Sequence, residues 1–209
     1  MGFFSAITRL FSKSAQPSAP DNRISATAEF NHKIGPLQRG DFYEDPLTEH
    51  LESLGAGEVD GGGTMLNKDK EIAFCDVHML LLPSESIIPS VIKFLENRGA
   101  PKGSKLKVYS GDDVVQEIPF GVREGFGVYL DGVNLPDEVY RDCDSNFVVS
   151  ELDRLLSGHG IVESHWQGPT ETALYVYGDS IAAMKPLLAD FLASYPLCRG
   201  ARLVDLTPA

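Results

Sequence analysis

The chain has 209 residues, 43% of them hydrophobic, enough for a core in one large or two small domains. Thirty acidic against eighteen basic residues leave a formal charge of −12, which opposes the lysine and arginine neutralisation that phosphate backbones demand and argues against a nucleic-acid partner. Three scattered cysteines, Cys75, Cys143 and Cys198, make a poor disulfide framework and fit a reducing cytoplasm, and no run of about 18 apolar residues is present to span a bilayer.

Phe3, Phe4, Ile7, Leu10 and Phe11 recur at helical spacing, with Arg9 and Lys13 on the other side. Residues 1–13 therefore read as a short amphipathic helix, suited to packing on its own domain or to contact with an anionic membrane surface. Arg9 interrupts the apolar segment and no charged segment precedes it, so it is not read as a signal peptide. Ser14 to Asn22, rich in proline and small polar residues, is a linker, and residues 1–23 form a helix-and-linker arm.

A strand is expected from Ile24 to Phe30, then a loop, then a helix capped by Asp45 with Pro46 at its first position and Leu47, Leu51 and Leu54 on one face. Gly55 and Gly57 stop it. Strands follow near Gly57–Val59 and Glu71–Leu82, with Asp60–Gly63 and Asn67–Lys70 as two candidate turns. A helix from Ser86 to Arg98 leads to a hairpin of Lys105–Tyr109 and Val114–Ile118. The order then recurs: a strand at Gly125–Leu130, a helix capped by Asp144 or Ser145 and running to Leu156, strands at Gly160–Trp166 and Glu171–Tyr177, a helix from Ser180 to about Ser194 containing Pro186, and a strand at Ala201–Leu206. Pro186 should kink that helix or delay its start.

The two passes align. Leu51, Leu54 and Val59 match Leu152, Leu155 and Val162; Glu71–Phe74 matches Glu171–Leu174; Phe94 and Leu106 match Phe191 and Leu203. The fold class is α+β, two tandem ferredoxin-like (βαββαβ) repeats at residues 24–118 and 119–209, packed separately or as one domain.

Positions the copies do not share are the functional candidates. Gly61, Gly62, Gly63 and Thr64 let backbone amides approach an anion, or form a glycine-rich hairpin or bulge. Asp76 and His78 share a strand face, with Cys75 on the other, and suit general acid–base work or a satisfied surface pair. His159, Glu163 and His165 fall on one face of a regular strand and have zinc-ligand chemistry, but their spacing matches no metal motif, and neither metal nor cofactor is expected. Trp166 and Gln167 sit on a hairpin tip beside Gly168-Pro169, where the indole either anchors an interface or caps the core edge. Tyr140 with Asp137, Glu138, Asp142 and Asp144 makes an acidic, aromatic loop that would accept a basic protein.

On the stretches Gly57-Glu-Val-Asp-Gly61-Gly-Gly-Thr-Met65, Gly99-Ala-Pro-Lys-Gly-Ser104, Leu135-Pro-Asp-Glu-Val-Tyr140 and Trp166-Gln-Gly-Pro-Thr-Glu-Thr-Ala-Leu-Tyr175, the chain resembles a family of bacterial proteins to which no activity is attached. In general character it is also similar to small acidic immunity proteins that neutralise bacterial toxins. The resemblance implies no catalytic residue. The expected function is a non-enzymatic interaction protein, toxin-neutralising in type, that meets a basic protein through its acidic loops and Trp166. The alternatives are a small-ligand sensor with a site between the repeats near Gly61–Thr64, and a metal-dependent hydrolase using Glu163 and His165.

Overall fold

A computed structural model describes residues 22–207; the amphipathic helix expected at residues 1–13 and most of the linker lie outside them. The chain is α+β, with two antiparallel sheets and helices, and no helix among the described residues is long and apolar enough to cross a membrane.

The first unit runs β1 (Ile24–Phe30), α1 (Pro36–Arg39), a π-helical turn (Gly40–Glu44), α2 (Asp45–Leu54), β2 (Gly57–Leu66), β3 (Ile72–Leu81), α3 (Ile87–Asn97), β4 (Ser104–Ser110) and β5 (Asp113–Phe120). The second runs β6 (Glu124–Asp131), α4 (Asp137–Asp142), α5 (Ser145–Leu155), β7 (Gly160–Gln167), β8 (Glu171–Gly178), α6 (Ile181–Ser194), a 3₁₀ turn (Pro196–Cys198) and β9 (Arg202–Asp205). Strand order is β2-β3-β1-β4-β5 in one sheet and β7-β8-β6-β9 in the other. Apart from the extra edge strand β5, the orders are the same.

Alternation explains the cores. In the first sheet Ala26, Ala28, Phe30, Cys75, Val77, Met79, Leu81 and Leu106 turn inward onto Leu47 and Leu51 of α2 and Val91 and Leu95 of α3. In the second, Phe126, Val128, Leu130, Leu174 and Val176 meet Val148 and Leu152 of α5 and Met184 and Leu188 of α6. The registers align the two units. Ala28 lies opposite Val77 and Leu106, and Val128 opposite Leu174 and Leu203. Leu174 is therefore the counterpart of Val77. The expected match of Glu71–Phe74 with Glu171–Leu174 is out of step by three residues, because similar residues there fall on opposite faces of their strands.

Two local expectations are corrected. Helical structure begins at Pro36, and Asp45 is inside it instead of capping it. Pro46 cannot donate to the carbonyl one turn back, and the turn before it widens so that Asp45 N–H bonds to Gly40 O. Arg98, at the end of α3, donates to the Phe42 carbonyl at 3.2 Å and the Asp41 carbonyl at 3.4 Å, compensating the groups that the proline leaves exposed. Asp60–Gly63 is no turn: β2 passes through it with a bulge between Val59 and Gly62, and Asn67–Lys70 makes the hairpin. Pro186 lies inside α6 without delaying its start.

Candidate functional site

Each sheet has a face turned away from its own helices, and the two faces differ in chemistry. On the first sheet it is polar: Lys107 Nζ contacts Glu29 Oε2 at 2.5 Å, Thr27 Oγ1 lies 2.8 Å from His78 Nδ1, and His78 Nε2 is 3.3 Å from Asp76 Oδ1. On the second it is aromatic, built from Tyr129, Ala173, Tyr175 and Tyr177, with Trp166, Val204 and Leu206 against them.

The first unit docks on that aromatic face. Lys33 N–H donates to Tyr177 Oη at 2.9 Å, Asn31 Nδ2 donates to the Leu206 carbonyl at 2.7 Å, and the Ser164 hydroxyl donates to the Lys33 carbonyl. Glu71, at the β2–β3 turn, accepts from Tyr129 Oη at 2.8 Å and Tyr175 Oη at 2.7 Å on one carboxylate oxygen, with Lys33 Nζ at 3.3 Å. Burial pushes the Glu71 carboxyl up, but the two phenols and Lys33 outweigh it and hold the carboxyl below its ordinary range.

Beside this contact is a buried polar chain. His32, fully buried, has Nδ1 2.8 Å from Tyr43 Oη and Nε2 2.6 Å from Glu163 Oε2. Arg123 grips the same carboxylate with both terminal nitrogens, and Gln38 Nε2 donates to the Glu163 carbonyl at 2.7 Å. Burial depresses His32 more than Glu163 raises it, so the imidazole is held neutral. Burial also pushes Tyr43 well above its ordinary value, keeping its phenol protonated. The consistent pattern is Tyr43 O–H donating to Nδ1 and Nε2–H donating to Glu163. Burial pushes Glu163 up, yet His32 and Arg123 outweigh it and its carboxyl is lowered. Every charged group here has a partner, which makes the chain a lock between the units.

The candidate site lies on the other side of β7. A cleft of about 530 Å³ opens between the second sheet and its helices. Leu130, Val149, Val162, Leu174 and Leu197 form its apolar lining; Asp131, Tyr140, Asn146, His165, Gln167 and Thr172 supply polar groups. This combination of apolar wall and few polar groups, at this size, suits a small organic ligand. Tyr140 is fixed from behind: its Oη accepts from Leu135 N–H at 2.9 Å and faces the Asp131 carbonyl at 3.4 Å. The start of α5 is capped by Asp144, whose carboxylate accepts from Asn146 N–H at 2.8 Å.

The first unit is filled at the equivalent place. His165 stands opposite Leu174, and Gly62 opposite Val77, so His165 and Gly62 are counterparts. Over Gly62 sits an Arg39–Glu44 ion pair, and Arg39 Nη1 donates to Thr64 Oγ1 at 2.7 Å. A Cβ at Gly62 would stand 2.4 Å from the Asp76 carbonyl oxygen, 2.8 Å from Glu44 Oε1 and 3.0 Å from Arg39 Nε. The glycine is required because the backbone carbonyl of Asp76 leaves no room for a Cβ, with two charged side chains close behind it.

Among the sequence candidates, Tyr140 and Gln167 line the cleft, while Asp137 and Glu138 are exposed on the first turn of α4 beside it. Trp166 is half-buried against the tyrosine face and over Gly168. Gly61, Gly62, Gly63 and Thr64 belong to an edge strand, and the neighbours of Gly62, Gly63 and Thr64 are Arg39, Glu44 and Asp76 of their own unit, so the expected site between the repeats does not form there. Asp76 and His78 do come together on that face, with His78 half-exposed and its Nδ1 against the buried Thr27 hydroxyl, while Asp76 Oδ1 lacks a hydrogen bond. His159, Glu163 and His165 do not share a face. A bulge between Val162 and Ser164 sends Glu163 to His32 and Arg123 and turns His165 to the cleft. No cluster of three metal-ligating side chains occurs among the described residues.

His32, Lys33, Arg123 and the tyrosines of this face are not among the residues that the sequence singles out, and Glu71 enters there only as a mark of the repeat. The one legible signal was Tyr175 and Tyr177 on alternate positions of one strand, a polar-tipped face in need of cover.

No family model and no curated protein matches the chain. Among solved structures, an unknown protein from Galdieria sulphuraria is similar over 88% of this chain and 97% of its own, at 13% identity and a TM-score of 0.28. A heme-binding protein from Thermus thermophilus is similar over 88% of this chain and 91% of its own, at 11% identity and a TM-score of 0.28. Overlap this low carries no argument about this chain's ligand.

Proposed function

We propose that the protein is a non-enzymatic binding protein whose second unit takes a small organic molecule into the cleft bounded by Tyr140, His165 and Gln167. The observation that carries this reading is the contrast at one structural position: an ion pair fills the first unit over Gly62, whereas the second unit has His165 there and an open cleft of about 530 Å³. The common strand order supports reading each unit as a ferredoxin-like βαββαβ repeat from one duplication, with the first copy as support and the second as binder. The three free thiols fit a reducing, cytoplasmic setting.

Thermal shift against a metabolite panel tests the reading, since a ligand that binds only the folded state raises the melting temperature. Val149→Trp, which fills the cleft, should abolish each shift while preserving the fold; shifts that survive it place the site elsewhere. A second reading is favoured by the exposed pair Asp137 and Glu138: α4 as an acidic surface for a basic protein partner, including a toxin to be neutralised. Reversing both charges should abolish capture of that partner without altering small-molecule shifts.

A further inference from the structure

We infer that the cleft selects an amphipathic organic cation, a primary amine on a compact apolar body, with Asp131 as its counter-charge. The inference rests on the small-molecule reading above and specifies its ligand.

The lining of the cleft includes two carboxylates, Asp131 and Glu163, and neither lysine nor arginine. Glu163 is already neutralised by Arg123 and bonded to His32. Asp131 has no ion pair among the described residues. Its Oδ1 accepts from Val133 N–H and Asn134 N–H, each at 2.8 Å, and Asn134 Nδ2 lies 3.2 Å from Oδ1 and 3.0 Å from Oδ2, so acceptor capacity remains on Oδ2. These donors hold the carboxyl below its ordinary range, and it stays charged at neutral pH.

The surroundings oppose an anion. Between Asp131 and Ser145 the chain carries four acids and one arginine, Arg141, which is paired with Asp142. The start of α5 would ordinarily attract a negative group, but the Asp144 carboxylate already occupies one of its free amides, that of Asn146. An ammonium meets the opposite conditions: Asp131 for its charge and the fixed ring of Tyr140 for a cation–π contact. Val149, Val162, Leu174 and Leu197 give an apolar body its cover.

The test uses three probes with similar bodies and different heads, 2-phenylethylamine, 2-phenylethanol and 3-phenylpropionate, titrated calorimetrically into the full chain and into Asp131→Asn and Val149→Trp. The side-chain oxygen of asparagine still accepts the two backbone amides, so Asp131→Asn preserves the turn; circular dichroism and the melting temperature verify both variants. The amine should bind at least about tenfold more tightly than the alcohol, a difference of about 1.4 kcal/mol, and the acid most weakly. Asp131→Asn should bring amine and alcohol to within about twofold, and Val149→Trp should remove binding of all three. Equal binding of the three heads, lost in Val149→Trp, overturns the cation assignment and leaves the cleft reading standing. Amine preference that survives Asp131→Asn overturns Asp131 as the counter-charge. Absence of binding by all three overturns the cation assignment, and with it the cleft reading if a broader panel also gives no shift sensitive to Val149→Trp.

Discussion

The two units have the same strand order and the same inward rows, yet differ over one strand position. In the first, Arg39 and Glu44 close over Gly62, with Thr64 tied beneath; in the second, His165 occupies that place and a cleft remains. A second difference accompanies it: the outward face is polar in the first unit and tyrosine-lined in the second. The two units thus present one strand order with two kinds of local closure: an ion pair over Gly62 in the first and a cleft beside His165 in the second.

The largest expected effect is at the lock between the copies. Glu163→Ala strands Arg123 and buried His32 and should cost about 3–5 kcal/mol, the usual penalty for breaking a buried charged pair. Urea unfolding checks it; a loss below about 1 kcal/mol would mean that the chain of contacts does not join the units. Next comes the closed site itself. Gly62→Ala pushes a methyl group against the Asp76 carbonyl and the Arg39–Glu44 pair and should cost about 1–3 kcal/mol. The counterpart His165→Ala, at an exposed position, should stay within about 0.5 kcal/mol while changing ligand affinity. Equal costs at both would erase the distinction between closed and open copies.

The pH dependence is smaller and separates two groups. His32 is depressed in the folded state, facing Tyr43, Phe42 and Tyr177 as well as Glu163 and Arg123. The unfolded histidine takes up a proton near pH 6.5 while the folded one resists, so stability falls as pH drops from about 6.5 toward the folded value. Glu163 is also lowered, and its contribution, present above about 4.3, is lost as pH falls through its folded value. His32→Gln should flatten the upper limb and Glu163→Gln the lower, read from melting temperatures between about pH 7 and about pH 3. An unchanged profile in both variants would remove these groups from the account.

Much of the architecture was legible because it is local and periodic: inward rows such as Ala26, Ala28 and Phe30, and the Gly55 stop, announce themselves within a few residues. The helix starting at Pro36 was missed because a π turn can accommodate Pro46 only with help from Arg98, distant in sequence. Of the cleft, Tyr140 and Gln167 are among the residues singled out from the sequence. The rest was not legible: one bulged residue inverts the facing of everything after it, separating Glu163 from His165, and His32 meets Glu163 across 131 positions with no periodic trace of the encounter.

The most direct test of the central claim, that the second copy is the binder, is NMR shift mapping on the labelled protein during titration with a small-molecule fragment panel. Perturbations should cluster at Tyr140, Asn146, His165, Gln167 and Thr172, with Arg39, Gly62 and Thr64 unmoved. Perturbations centred on the first unit, or none at the cleft for any fragment that binds, would contradict it.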